Sequence, residues 1–327
     1  MIGNCHGEVI SGNRDMTLTA VYDTRHDASE KLAEKWKCRA AGSMEELFSM
    51  VDAVAVCLPS DMHAQAVVQS ARAGKHVICE KPVAARVEDA EEMIRCCREN
   101  GVLFSVVFQH RFDTAVQAAR QAIERGDLGR ILWASSRSIL YREENYFTNT
   151  PWHAKFGSGA LMNQSIHYID LLLYLLGDPV AVQGHCGARL HVKNETEDVG
   201  LAIAEFADGA PAVIEGTTAA YPGLYNELSL YGENGSFIIR NDELFSYKLK
   251  SGNRREYDAI LNPYAVYTAY RDTKIDLSSH RKQYANVADA ILGRDKLAIS
   301  GEEGIRSLKL IQAIYESSEK GQKIHLK

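Results

Sequence analysis

Three groups of residues in this chain have types and spacings that could do chemistry. The first is Glu80-Lys81-Pro82, where an acid, a base and a proline cut off the apolar run His76-Val77-Ile78-Cys79. Apolar β-formers bounded by Gly74 and Pro82 read as a buried strand of a parallel sheet. Glu80 and Lys81 then fall at its carboxyl end, where open α/β sheets bind ligands. Pro82 stops the strand and holds Lys81 extended, which aims its side chain. A surface loop with an ordinary ion pair fits the same three residues. The second group is Asn163 and His167, four apart and so on one face of a helix. A histidine there titrates near neutrality and can take a proton, or it can be a hydrogen-bonded core residue. The third is Gly3 with Asp23, 20 positions later. That is close to the distance from the last glycine of a dinucleotide fingerprint to its ribose-binding carboxylate. Asp23 could equally cap the helix that follows it.

The elements that must carry these groups divide into two kinds. In the first third, a helix to about Gly12, a strand over Thr17–Asp23 and a helix over Asp27–Lys37 lead into the apolar run Ala53–Leu58. Pro59 breaks that run, and Ser60 or Asp61 can cap a helix to Ala73. The Glu80 strand, a helix over Val87–Asn100 and a strand over Val102–Phe108 follow. Such alternation predicts a doubly wound parallel sheet, with the strand ends at Asp23, Leu58, Glu80 and Gln109 on one edge. A helix over Thr114–Arg125 stops at Gly126, and a strand over Ile131–Leu140 follows. The stretch Tyr141–Phe156 is irregular, and its Tyr141, Arg142, Tyr146, Asn149, Trp152, His153 and Lys155 could line a polar pocket or simply form a solvated connection. A helix through Leu176 is apolar nearly all round and should be buried. After Pro179, strands over Val180–His191, Val199–Phe206, Ala210–Ala220, Asn226–Tyr231 and Ser236–Arg240 with short turns predict a largely antiparallel sheet. Helices over Arg281–Leu292 and Glu302–Glu319 close the chain.

Two domains are therefore expected, 1–110 and 111–327, since 327 residues exceed one comfortable core. Hydrophobic content of 46% with 24% charged residues describes an ordinary globular chain. A net charge of −6 argues against nucleic acid or an anionic membrane as the main partner. The apolar run Leu171–Leu176 is far short of the roughly 20 residues that cross a bilayer. No basic-then-apolar leader opens the chain. Seven scattered cysteines without C-x-x-C suit reduced thiols in a cytoplasm and no structural metal.

Taken together, these residues resemble the Gfo/Idh/MocA oxidoreductases, which include glucose–fructose oxidoreductase and inositol dehydrogenase. The resemblance runs over essentially the whole chain. It rests on Glu80-Lys81-Pro82 after a strand and on Gly157-x-Gly159 leading into Asn163-x-x-x-His167-x-x-Asp170. Ile2-Gly3-x-x-His6, Leu58-Pro59 with His63, Gln109-x-Arg111-Phe112 and Gly126-Asp127-Leu128-Gly129 support it. It implies a Rossmann domain holding NAD or NADP and an α+β domain with an open sheet for substrate and oligomer contacts. The implied chemistry is hydride transfer between nicotinamide and a secondary alcohol carbon of a sugar, cyclitol or derivative. Lys81 would hydrogen-bond the reacting oxygen, and His167 would accept the hydroxyl proton, oriented by Asn163. Gly3, Asn4, Asp23, Arg25, Leu58, Pro59, His63, Glu80, Lys81 and Gln109 would face the cofactor. Arg111, Tyr141, Trp152 and His153 would join Asn163 and His167 around the substrate. A homo-oligomer, dimer or tetramer, is expected with them.

Two departures from the family pattern carry consequences. Many members have aspartate where this chain has Asn163. An amide adds no charge, so a lower apparent pKa of the base is expected. The first Rossmann strand is also missing, with its two earlier glycines; Met1-Ile2-Gly3 fits the tail of G-x-G-M-I-G. Met1 is accordingly expected to be an internal methionine, the true start lying about ten residues upstream, a typical strand plus turn. Asp23 favours NAD because a carboxylate accepts from ribose hydroxyls, while Arg25 leaves NADP open. The competing readings are a non-catalytic nucleotide or sugar sensor, an inert truncated relative, and a dehydratase or glycosidase that uses NAD transiently.

Overall fold

The computed structural model describes residues 2–155, 157–265 and 276–326, so Met1 and Phe156, both named above, lie outside the described residues. The chain forms two compact units. The first runs to Gln109 and takes back the segment ending at Ile305; the second starts at His110 and resumes at Arg306.

In the first unit, α1 (Ile2–Ser11), β1 (Ala20–Val21), α2 (His26–Trp36), β2 (Arg39–Ala40), α3 (Met44–Met50) and β3 (Ala53–Val56) come in order. After them come α4 (His63–Arg72), β4 (His76–Cys79), α5 (Val87–Glu99) and β5 (Phe104–Val106). All strand pairs are parallel, as runs buried on both faces require. Val56 and Val106 are both in register with Cys79, so Leu58, Glu80 and Gln109 follow strand ends on one edge. The sheet is split, however. β1 pairs only with β2, and β3-β4-β5 is a separate three-stranded sheet. Among the described residues no strand joins the two. Instead, Val54 of β3 packs against the cluster of Ala20, Ala41 and Leu47.

Two expectations are corrected here, and two elements are added. The strand expected over Thr17–Asp23 pairs only at Ala20–Val21, because its sole hydrogen-bonded neighbour is the two-residue β2. β2 and α3 had no counterpart in the sequence reading. Neither Ser60 nor Asp61 caps α4; residues Ser60–Met62 form a 3₁₀ turn and the helix starts at His63 without a side-chain cap.

The second unit contains α6 (Thr114–Glu124), β6 (Ile131–Ile139), α7 (Glu144–Thr148) and α8 (Ile166–Leu176). Its sheet continues with β7 (Ala181–Gly187), β8 (Val199–Glu205), β9 (Pro211–Thr217), β10 (Tyr225–Gly232), β11 (Gly235–Arg240) and β12 (Glu243–Leu249). α9 (Arg255–Asp258), α10 (Ser278–Ile291), α11 (Gly301–Lys320) and β13 (Ile324–His325) complete the chain, with α10 and the first turn of α11 belonging to the first unit. The sheet order is β12-β11-β10-β6-β9-β8-β7-β13. It is antiparallel except for β6 with β9, as the short turns imply. Strands β12 and β13 were not anticipated. Inner positions such as Ala134, Ser136, Ala212, Ile214, Leu228 and Leu230 are buried. On the other face Leu201 and Ile203 are about half exposed, and Trp133 stacks on Tyr231 with ring centroids 4.3 Å apart.

Candidate active site

In the first unit the strand-end residues are held by a buried polar chain. Glu80 Oε1 lies 2.7 Å from His6 Nε2, and its Oε2 accepts from the Lys81 N–H at 3.1 Å. The other ring nitrogen of His6, Nδ1, meets the Tyr284 hydroxyl of α10. Burial alone would push the Glu80 carboxyl up. The hydrogen bond and charge of His6 outweigh it and bring the group down to about 2. His6 is correspondingly raised well above 6.5: burial opposes its charge, but Tyr284, Cys57 and Glu80 favour it more. Glu80 is therefore an ion-paired brace that orients the backbone at Lys81, whose side chain is half-buried.

His63 is also a brace. It is buried with Nδ1 2.9 Å from the Pro82 carbonyl and Nε2 2.8 Å from the Leu58 carbonyl. Burial holds its pKa below 6.5 although both carbonyls pull the other way. It ties the turn after β3 to the turn after β4, leaving Leu58 more than a third exposed at the edge. Gln109 is buried at the same edge, and its Oε1 has no hydrogen-bond partner among the described residues. That orphaned acceptor calls for a donor from a ligand.

The residues present fit a dinucleotide. Gly3 stands in the first turn of α1 with open space where a Cβ would be, so the first-turn N–H groups are approachable by a phosphate. Asp23 follows β1, partly exposed, and accepts from the Arg25 N–H at 2.9 Å. The Arg25 guanidinium is mostly exposed, 3.6 Å from that carboxylate. Asn4 receives the Lys35 ammonium on its Oδ1 at 2.9 Å.

In the second unit the expected helix holding Asn163 and His167 is not α-helical throughout. Ala160–Ser165 is a π-helical turn, and α8 begins only at Ile166. Its cause lies elsewhere in the chain. Glu197 takes the Leu161 N–H on Oε1 at 2.8 Å, and its backbone carbonyl takes the Ala160 N–H at 3.0 Å. A Cβ at Gly159 would run into that Glu197 carboxylate. Below the turn, Gly200 and Gly216 of β8 and β9 leave room for Leu161 and Ser165. Ser165 Oγ donates to the Ala160 carbonyl at 3.0 Å, closing the wide turn.

The outcome is an accessible patch on an otherwise buried segment. Asn163, Gln164 and His167 are half-buried, while Leu161, Met162, Ser165, Ile166 and Tyr168 are buried. Asn163 Nδ2 and Gln164 Nε2 donate to the Tyr146 hydroxyl at 3.2 and 3.0 Å. Tyr146 stacks on His153 at 4.1 Å, and Trp152 meets His153 edge-on. Arg142 donates to Gln164 Oε1 at 2.9 Å. Tyr141 meets the exposed Tyr221 edge-on. Arg111, expected at the substrate, is 3% exposed and grips Asp170 with two hydrogen bonds of 2.8 and 2.7 Å. Its place is under α8 and not at the surface. Sequence alone does not point to His110, whose ring meets His167 edge-to-face at 4.9 Å, or to Asp242, which contacts His110 in turn.

Comparison with known proteins agrees over nearly the whole chain. Residues 1–108 match the NAD-binding Rossmann fold of the GFO/IDH/MocA oxidoreductase family, and residues 120–326 match its C-terminal alpha/beta domain. Inositol 2-dehydrogenase of Rhizobium meliloti is 27% identical over 330 residues, covering 97% of this chain and 93% of the relative. The 2,7-anhydro-N-acetylneuraminate hydratase of Escherichia coli is 32% identical over 235 residues, 69% of this chain and 61% of the relative. The WlbA dehydrogenase of Bordetella pertussis, solved with NADH and UDP-GlcNAcA, superposes with a TM-score of 0.90 at 30% identity, covering 100% of this chain and 95% of that one.

Proposed function

The chain belongs to the GFO/IDH/MocA oxidoreductase family, and from that premise we propose that its substrate is a nucleotide-linked sugar carrying a carboxylate. It is an NAD(P)-dependent oxidoreductase that transfers hydride at a CH–OH group of a sugar, cyclitol or derivative. When bound, the nicotinamide supplies the hydride acceptor.

The chain's own residues do the rest of the work in this proposal. Gly3 and the first turn of α1 hold the pyrophosphate, Asp23 the adenosine ribose, and Gln109 offers its orphaned acceptor. Asp23 sets a preference for NAD, with Arg25 the residue through which NADP would enter. Lys81 hydrogen-bonds the reacting oxygen and opposes its negative charge; His167 takes the hydroxyl proton as hydride leaves carbon. Asn163, Gln164 and Tyr146 orient the sugar hydroxyls, and the Tyr146–His153–Trp152 stack offers a face to a ring. The observation that carries this reading is the π turn that leaves Asn163, Gln164 and His167 accessible on a buried segment. The 30% identity to a dehydrogenase solved with UDP-GlcNAcA favours the nucleotide-linked acid over free cyclitols.

The test is a panel of UDP-GlcNAcA, UDP-GlcNAc, myo-inositol and simple glucosides, each with NAD and NADP. The expected result is reduced nicotinamide with UDP-GlcNAcA at a kcat/KM at least tenfold above the others; preference for inositol overturns the substrate proposal. A second reading, transient NAD use in adding or removing water, is supported by the 32% identity to the hydratase. It predicts substrate turnover with no net reduced nicotinamide.

We also propose a homo-oligomer, supported by the exposed apolar outer face of the sheet at Leu201, Ile203 and Trp133. A cytoplasmic setting fits the seven free cysteines, and among the described residues no helix is long and apolar enough to cross a membrane. A folding boundary near 110/111 is proposed for limited proteolysis to locate.

A further inference from the structure

The helix that carries His167 brings it no charge of its own: its neighbours one turn back are Asn163 and Gln164, both amides. Asp170, one turn on, is committed to Arg111 in a buried two-hydrogen-bond pair. Among the described residues, the inner sheet positions Ser136, Ile214 and Leu228 carry no charge. Arg137, Glu215 and Glu227 occupy alternate positions to the buried Ser136, Ile214 and Leu228, and so point from the opposite face. From α6, Gln117 reaches Tyr174 and Arg120 reaches the Tyr174 carbonyl, one to two turns beyond His167.

Arg142, donating to Gln164 Oε1 at 2.9 Å, brings a cation to the turn before His167; the ring that lies against His167 is that of His110. Its ring sits edge-to-face against His167, centroids 4.9 Å apart and planes at 86°. Its Nδ1 is 2.7 Å from Asp113 Oδ2 and 3.2 Å from Asp242 Oδ1, so Nδ1 carries the proton in either charge state. Asp113 is fixed as the residue preceding α6. Asp242 is presented by a two-residue hairpin turn between β11 and β12, with Asn241 at φ 48° and Asp242 at φ 69°. α8 itself grips that turn: the Tyr168 hydroxyl donates to Asp242 Oδ1 at 3.0 Å and accepts from the Asp242 N–H at 2.9 Å. Tyr168 neighbours His167 in sequence, so one helix turn holds both ends of the arrangement.

We propose that His110, backed by Asp113 and Asp242, is a positioning residue that sets the basicity of His167. Burial pushes the Asp242 carboxyl up against the pull of His110. Where both carboxylates are ionised they outnumber the one charge His110 can carry, and the local balance is negative even with His110 protonated. A net negative neighbour favours the protonated imidazole and raises the pKa of His167. The group thus supplies through one intervening ring what Asn163 does not supply directly. The proposal rests on the reading of His167 as the base.

The test is a histidine imidazole NMR titration of the full-length protein without substrate, the His167 signals assigned by their loss in His167→Gln. Asp242→Asn and Asp113→Asn are each expected to lower the His167 midpoint by about half a pH unit or more, the effect of one charge at short range in a wet site. Asp242→Glu should keep it within about 0.2 of wild type by the same argument. His110→Gln should change both its midpoint and its ring-current shifts. An unchanged midpoint in both Asp→Asn variants, each folded by its thermal melt, overturns the proposal. Failure of the base reading looks different: His167→Gln would then turn over UDP-GlcNAcA with the wild-type pH profile, whatever the titration shows.

Discussion

The two units hold their key polar groups in opposite ways. At the end of β4 in the first unit, Glu80, His6 and Tyr284 are buried and satisfy one another, and the carboxyl is driven down to about 2. Around the start of α8 in the second unit, Asn163, Gln164 and His167 are only half-buried, on a segment whose other residues are buried. The first arrangement cannot titrate near neutrality without breaking an ion pair, so it serves as a fixed frame for Lys81. In the proposed function the second exchanges a proton with the substrate. A buried, paired charge confers geometry; a half-buried imidazole confers reactivity.

The largest stability effect should come from breaking the frame. His6→Gln leaves Glu80 buried without a counter-charge and should cost about 3–5 kcal/mol by urea unfolding. Its pH dependence follows from the two shifts. Glu80 is lowered, so its contribution is present above its unfolded value near 4.5 and is lost as pH falls through about 2. His6 is raised, so its contribution is complete below 6.5 and fades as pH rises through its folded value. Wild type should therefore show a stability plateau between these limits that His6→Gln lacks. A variant as stable as wild type across that window would remove the contrast between the units.

Next in size is Gly159→Ala, which forces Glu197 off the π turn and should cost about 1–3 kcal/mol as overpacking. Because the turn presents Asn163 and His167, kcat should fall with it while NADH affinity stays unchanged by fluorescence titration. Equal loss in both would show that the glycine serves the whole fold. The smallest effect is Asn163→Asp. A carboxylate on the turn before His167 should shift the acid limb of the kcat/KM profile upward by about half a unit to one unit. An unmoved limb would mean that the residue at 163 does not act on the base electrostatically.

The parts of this design that were legible in the chain are the local ones. β3 and β4 announce themselves as apolar runs, the first broken by Pro59 and the second by Glu80-Lys81-Pro82, and α6 by its stop at Gly126, which adopts φ 74°. Lys81 and His167 stood out because both ended or interrupted strongly apolar segments. What was illegible depends on distant partners. The π turn needs Glu197, 36 residues beyond Leu161, and the glycines of β8 and β9. Asp242 meets His110 from a hairpin turn that Tyr168, 74 residues earlier, helps to hold. Arg111 looked like a substrate ligand because nothing local says that it pairs with Asp170 of α8. β12 could have been read: Leu244, Tyr247 and Leu249 are buried after an Asn-Asp turn of the kind that closes hairpins.

The proposed function stands most directly on the roles it gives Lys81 and His167 in hydride transfer. The decisive measurement is reduced-nicotinamide formation from NAD and UDP-GlcNAcA by wild type, Lys81→Met and His167→Gln, with NADH affinity measured in parallel. The expected result is turnover in wild type and a fall of about 10²–10⁴-fold in each variant, with NADH affinity within a few-fold of wild type. Turnover within a few-fold of wild type in either variant would contradict the assignment of that residue to the chemistry.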